Sequence, residues 1–193
     1  MSIWTSEAKA ARALAGLLLL SACLETGETQ KPAVRAVALG GGAVVLDAPR
    51  GYCIDPDSLR QSSGRVALLA SCVSLTGVPG IVVAPAVMTV SVLPHAAAAP
   101  TPESLARPLA PARIGASGTQ DGLVYVQILE GGEAVLPGGD PRHWRGARIV
   151  AGHLAGLAVY APEGSSLTGP DGRGLLRDLA AGLSARAIVP AIR

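Results

Sequence analysis

Leu123–Leu129 alternates along its length, with Val124, Val126 and Ile128 on one face and Tyr125 and Gln127 on the other. That period of two marks a strand with one buried face. Val87–Leu93 repeats the pattern, setting Met88, Val90 and Val92 against Thr89 and Ser91. Apolar runs at Ala43–Asp47, Tyr52–Asp55, Arg65–Leu75, Arg148–Ala151 and Leu154–Tyr160 predict further strands, the last two turning at Gly152-His153. Within Arg65–Leu75, Val66, Leu68, Ala70 and Cys72 share a face. Asp171–Ala187 instead has the period of a helix, because Leu176, Leu179 and Leu183 fall at i, i+3 and i+7 beside Leu175. Asp171 is its expected cap, and Gly174 and Gly182 each weaken it by about 1 kcal/mol relative to Ala. Thr101-Pro102-Glu103 reads as an N-cap, a Pro at N1 and an acid in the first turn. The helix it starts is short, since Pro108 and Pro111 stop it.

Between these elements lie Gly-, Pro- and Ser-rich connections: Pro56–Gly64, Gly77–Gly80, Ala96–Pro100, Gly115–Gly122, Gly131–Arg145 and Gly164–Pro170. Gly40-Gly41-Gly42 lacks the Gly-Lys-Ser/Thr of a phosphate loop and reads as a turn before a strand. Strands on short connections favour antiparallel pairing, and the helical stripe needs a sheet to cover it. The predicted fold class is therefore α+β: an antiparallel sheet with the C-terminal helix and the short middle helix packed on it. Gly51–Cys72 is the organising stretch. It holds two strands with a cysteine on each and a polar connection long enough for the sulfurs to meet across the ladder.

Composition changes this picture in one respect. The chain has no Phe and only 3% aromatic residues, so its core is built from Ala, Val and Leu. Small side chains bury little area each, which raises the value of a cross-link. The charge is nearly balanced, 16 Lys+Arg against 14 Asp+Glu, and gives no electrostatic case for nucleic acid.

Lys9 and Arg12 precede the short apolar run Ala13–Leu20, and Leu20-Ser21-Ala22-Cys23 follows. This is the layout of a secretory signal. Leu20-Ser21-Ala22-Cys23 closely resembles the lipobox of bacterial lipoproteins. The resemblance implies cleavage before Cys23, a diacylglycerol on its sulfur and an acylated amine, enough for stable anchoring. Leu24 in place of an aspartate implies sorting to the outer rather than the inner membrane. The domain plan is then a signal peptide over 1–22, a flexible tether over 23–38 and a single α+β domain over 39–193. With Cys23 lipidated, Cys53 and Cys72 remain as an even pair in an oxidising compartment, and a disulfide between them is expected. The Gly-Tyr-Cys-Ile-Asp and Ala-Ser-Cys segments around them resemble uncharacterised Gram-negative envelope lipoproteins. The element order is similar to the PsbP-like fold, which implies an α/β/α sandwich as the alternative architecture.

Candidate chemistry is sparse. His95, His143 and His153 include no pair with metal-ligand spacing. Asp55-Pro56-Asp57 has too few acids for a calcium loop and reads as a turn. No metal or organic cofactor is expected. Asp140, His143 and Trp144 fall together in a predicted loop, where a carboxylate and an imidazole beside an aromatic are the ingredients of acid–base chemistry or a small-ligand site. Without metal-ligand spacing, His143 is also expected to be replaceable by Ala with little change in stability. With no assembled catalytic constellation, the favoured function is a non-catalytic, membrane-anchored envelope protein that binds a protein partner or supports an assembly. The alternative is a periplasmic hydrolase or ligand binder using Asp140 and His143.

Overall fold

The computed structural model describes residues 32–94 and 98–186. The signal over 1–22, Cys23, His95 and the end of the predicted helix at Ala187 lie outside the described residues. Among the described residues there are ten strands: β1 (Ala36–Leu39), β2 (Val44–Asp47), β3 (Tyr52–Ile54), β4 (Val66–Ser71), β5 (Val87–Leu93), β6 (Ile114–Gln120), β7 (Leu123–Ile128), β8 (His143–Val150), β9 (His153–Tyr160) and β10 (Leu183–Ala185). Four α-helices accompany them: α1 (Pro56–Gln61), α2 (Cys72–Thr76), α3 (Pro102–Ala106) and α4 (Pro170–Ala181). The main sheet has seven strands in the order β3-β4-β5-β9-β8-β7-β6, and a second sheet has three in the order β1-β2-β10. Every pairing is antiparallel, and the consecutive pairs β1–β2, β6–β7 and β8–β9 are joined by short turns.

The pleat divides the main sheet into two faces. One carries Tyr52, Ile54, Leu69, Met88, Val90, Val92, Leu157, Val159 and Trp144, which join Leu39, Val44 and Leu46 of the small sheet and Leu176 and Leu179 of α4 in one buried cluster. The α+β class and the predicted inward face of β5 are thus observed. The reverse face buries Cys53, Val124, Val126, Ile128, Ala147 and Tyr160, and α3 packs against β6 and β7. Thr101 and Ser104 form a capping box at the start of α3, so the predicted cap is present.

Several boundaries differ from the pattern-based reading. Pro56–Gly64 is not merely a turn: Asp55 caps α1, with Pro56 at its start. The Arg65–Leu75 strand stops at Ser71, because the Ser71 hydroxyl accepts from the Ser74 amide and caps α2. Cys72 therefore heads a helix rather than continuing the face of Val66, Leu68 and Ala70, and the face of β4 buried in the core is that of Ala67 and Leu69. Gly115–Gly122 holds most of β6, an edge strand whose residues are mostly exposed, which is why it has no apolar alternation. The β8–β9 turn is Ala151-Gly152, both at positive φ, so His153 belongs to β9. The predicted tether overlaps the fold, since Val34 bridges Ile54 and β1 begins at Ala36.

The C-terminal helix shows the largest difference. It starts at Pro170 behind Gly169, with no side-chain cap from Asp171, and ends at Ala181. Leu183 does not extend its stripe but opens β10, paired with Leu46. Gly182 decides this. A Cβ there would land on the Asp47 carbonyl oxygen, and the Asp47 amide donates to the Gly182 carbonyl at 2.9 Å. Only a residue without a side chain lets the helix end this close to β2.

Candidate functional site

The spacing of Asp140, His143 and Trp144 predicts one site, and the strand separates them. β8 begins at His143, so successive side chains leave opposite faces of the sheet. Trp144 points into the buried cluster, where its Nε1–H donates to the Gly169 carbonyl at 3.0 Å and its ring meets Tyr125 edge-on at 6.1 Å. It fixes the loop before α4 and has no access to a ligand at His143. Gly172 allows this packing: a Cβ on it would overlap the Leu167 carbonyl and crowd Trp144.

Asp140 sits ahead of the strand and is 4% exposed. Its Oδ1 accepts from the Arg142 backbone amide and Nε, each at 2.9 Å, and its Oδ2 accepts from Arg142 Nη2 at 2.9 Å and the Gly164 amide at 3.4 Å. The Asp140 amide in turn donates to Ala161. The hydrogen-bonded Arg142 guanidinium holds the Asp140 carboxyl down at about 2, against the opposing effect of burial. Charged at neutral pH, this carboxylate latches the loop to the end of β9 and is too weak a base to take a proton near neutrality.

His143 lies on the reverse face, stacked on Tyr160 with ring centroids 4.9 Å apart. Its Nδ1 faces the Pro141 carbonyl at 3.3 Å and its Nε2 faces Arg145 Nε at 3.5 Å. These partners assign the neutral tautomer protonated on Nδ1. Arg145 Nη2 also donates to the Tyr160 hydroxyl at 3.1 Å. Burial pushes the His143 imidazole below its ordinary value, and the Arg145 charge adds to that despite the Pro141 bond. His143 is thus a buried strand residue, and replacing it by Ala is costly, against the expectation from the sequence. Removing it would uncover Tyr160 and leave Arg145 Nε without its acceptor.

Cys53 and Cys72 form a disulfide with Cα atoms 4.8 Å apart. It does not bridge a paired rung, because Cys53 pairs with Ala70. It ties β3 to the first residue of α2 just beyond the ladder, where the Cys72 amide donates to Gly51.

Sequence reasoning gave no sign of a role for Arg148. It lines a cavity of about 170 Å³ with Gln120, Asp121, Leu123, Arg177 and Asp178. Its Nη1 donates to the Ala180 carbonyl at the end of α4 at 2.7 Å, while its Nε is buried without a partner. The volume is below the roughly 300–1,000 Å³ usual for small-molecule sites, and the bond to Ala180 gives Arg148 a helix-capping role. Among the described residues, no group of three His, Cys, Asp or Glu side chains is arranged to hold a metal, and no helix is long and apolar enough to cross a membrane.

No family model matches the chain, and no curated protein matches it. Solved structures similar to this chain include the Ran-binding protein Mog1p of Saccharomyces cerevisiae, with a TM-score of 0.48 and 14% identity, covering 78% of this chain and 94% of that one. A protein from Bacteroides thetaiotaomicron matches with a TM-score of 0.39 and 10% identity, over 81% of this chain and 50% of its own. Cyanobacterial PsbP from Synechocystis matches with a TM-score of 0.43 and 10% identity, over 86% of this chain and 98% of its own. At this level of likeness no function carries across.

Proposed function

We propose that this chain is an exported lipoprotein, anchored through Cys23 on the periplasmic face of the outer membrane, whose folded part binds a protein partner of the envelope without catalysing a reaction. The observation that carries the reading is the run from Lys9 to Cys23, ending in Leu20-Ser21-Ala22-Cys23. The Cys53–Cys72 disulfide supports it, because such bonds persist in exported rather than cytosolic proteins. Binding is favoured over hydrolysis because Asp140 is committed to Arg142 and Gly164, and His143 to Pro141 and Arg145. A general base needs a lone pair free to reach its substrate.

The test is mass spectrometry of the native N-terminal peptide after expression with its own signal. Acyl chains on Cys23 are expected, and Cys23→Ser should release the protein from membranes. An unmodified protein beginning at or beyond Cys23 would sink the reading. Cross-linking the anchored protein in its own membrane then identifies the partner.

A further inference from the structure

From Val66 to Pro102 the chain has no Asp, Glu, Lys or Arg. In its middle, between Gly77 at the end of α2 and β5, an irregular loop reads Gly-Val-Pro-Gly-Ile-Val-Val-Ala-Pro-Ala. Val82 is 91% exposed, Ile81 47% and Val78 42%. Isolated exposed apolar residues are ordinary, but three in five positions on one uncharged loop are not.

The loop is firmly held. The Val78 amide donates to Thr76 Oγ1 at 3.1 Å, and that hydroxyl donates to the Cys72 carbonyl at 2.8 Å, next to the disulfide. The Tyr52 hydroxyl donates to the Ala84 carbonyl at 2.7 Å. Val83 packs against the buried cluster in space that only Gly51 leaves open. With Val83 directed inward, Val82 is directed out.

We propose that this loop is a membrane-surface wedge, with Val78, Ile81 and Val82 seated at the headgroup–acyl boundary of the bilayer that holds the Cys23 anchor. The proposal rests on the lipoprotein reading for its choice of occupant. Between Cys23 and Pro32 lie eight residues, which span at most about 30 Å, so the fold is confined close to the bilayer. The chain enters the fold at Val34, bridged to Ile54 of β3, and Ala84 is bonded to Tyr52 of the same strand. Entry point and loop therefore share one edge of the main sheet. Arg50, beside Gly51, and Arg35, bonded to the Ala48 carbonyl, are exposed at that edge and suit anionic headgroups, with Asp47 offsetting one charge. Apolar area plus nearby cations is the chemistry of interfacial binding.

The test uses the full chain, processed from its own signal and reconstituted in phosphatidylethanolamine/phosphatidylglycerol vesicles, with Val82→Trp as the reporter. Wild-type emission is subtracted to remove Trp144. Leu93→Trp is the control, since Leu93 is 53% exposed but closes β5 at the end away from the loop. Acyl-brominated lipid should quench the reporter indole at least twofold, with a blue-shifted emission, and leave the control indole unchanged. If the protein is anchored and the reporter is unquenched, or reporter and control are quenched alike, the wedge is refuted while the anchor stands. If Cys23 carries no lipid yet the reporter is quenched, the wedge stands without the anchor. A blue shift of the reporter that depends on protein concentration without vesicles assigns the loop to a second copy of the chain and also refutes the wedge.

Discussion

Cutting the Cys53–Cys72 cross-link should destabilise the domain by about 3 kcal/mol, the chain entropy restored to an unfolded loop of this length. The bond encloses α1 and β4, and β3, which it secures, offers only three paired residues. The cost is a large fraction of a stability that for such domains is about 5–15 kcal/mol. Two comparisons separate entropy from packing. Reducing the wild type keeps both sulfurs in place and isolates the cross-link. Cys53→Ala/Cys72→Ala also removes the buried Cys53 sulfur and should lose roughly 1 kcal/mol more through the cavity. Urea unfolding followed by Trp144 fluorescence is the assay. With m of about 2 kcal/mol/M, the midpoint should fall by about 1.5 M on reduction, and m itself should rise as the freed unfolded chain expands. The melting temperature should drop by about 6–12 °C. Oxidised and reduced chains that unfold within about 0.5 kcal/mol of each other, with equal m, would refute the entropic reasoning. Two free thiols in the denatured, unreduced protein would remove its premise.

Other outcomes follow from the same contacts. The His143 imidazole lies below its ordinary 6.5 when folded, so the stability it contributes is complete above about 6.5 and is lost as pH falls through the folded value; a pH series of urea midpoints should lose that slope in His143→Phe. Asp140, held at about 2 against an ordinary 3.8, contributes stability that is complete above about 4 and disappears as pH falls through about 2; acid titration of Asp140→Asn should lack that limb. Gly182→Ala should cost at least about 2 kcal/mol by driving a methyl into the Asp47 carbonyl, whereas Gly174→Ala, with open space around it, should be neutral or stabilising. Thr101→Ala, which breaks the capping box, should cost about 1 kcal/mol by thermal melting.

Alternation is clearest where one face of a strand is buried and the other is not, while β3 and β9, buried on both faces, show only as apolar runs. β5 shows its pattern because Met88, Val90 and Val92 face the cluster while Thr89 and Ser91 do not. β6 is hidden because a mostly exposed edge strand has little reason to alternate, although Asp121-Gly122 after it, both at positive φ, is a hairpin signal that reveals it. The helix end was misplaced because Leu183 satisfies two periods at once: it continues the stripe of α4 on paper and fills an inward position of β10 in space. The candidate site was misjudged for a related reason. Gly131–Arg145 is rich in turn residues, and nothing local marks the change to β8 at His143. That change alone puts Trp144 and His143 on opposite sides of a sheet.

The strand order has a consequence for how the chain acquires its structure during synthesis. β3-β4-β5 and β6-β7-β8-β9 are two meanders, each zipped from neighbours in sequence, joined along β5 and β9. Thr89 must wait for Ala158, and Val90 for Leu157. Until β9 has been made, the first meander presents Met88, Val90 and Val92 with neither α4 nor a completed sheet over them. The small sheet waits longer still, because β2 receives its second partner only at Leu183. The early half of the polypeptide is thus the aggregation-exposed half during elongation; β9 closes the main sheet, and the small sheet closes only with β10 near the end of the fold.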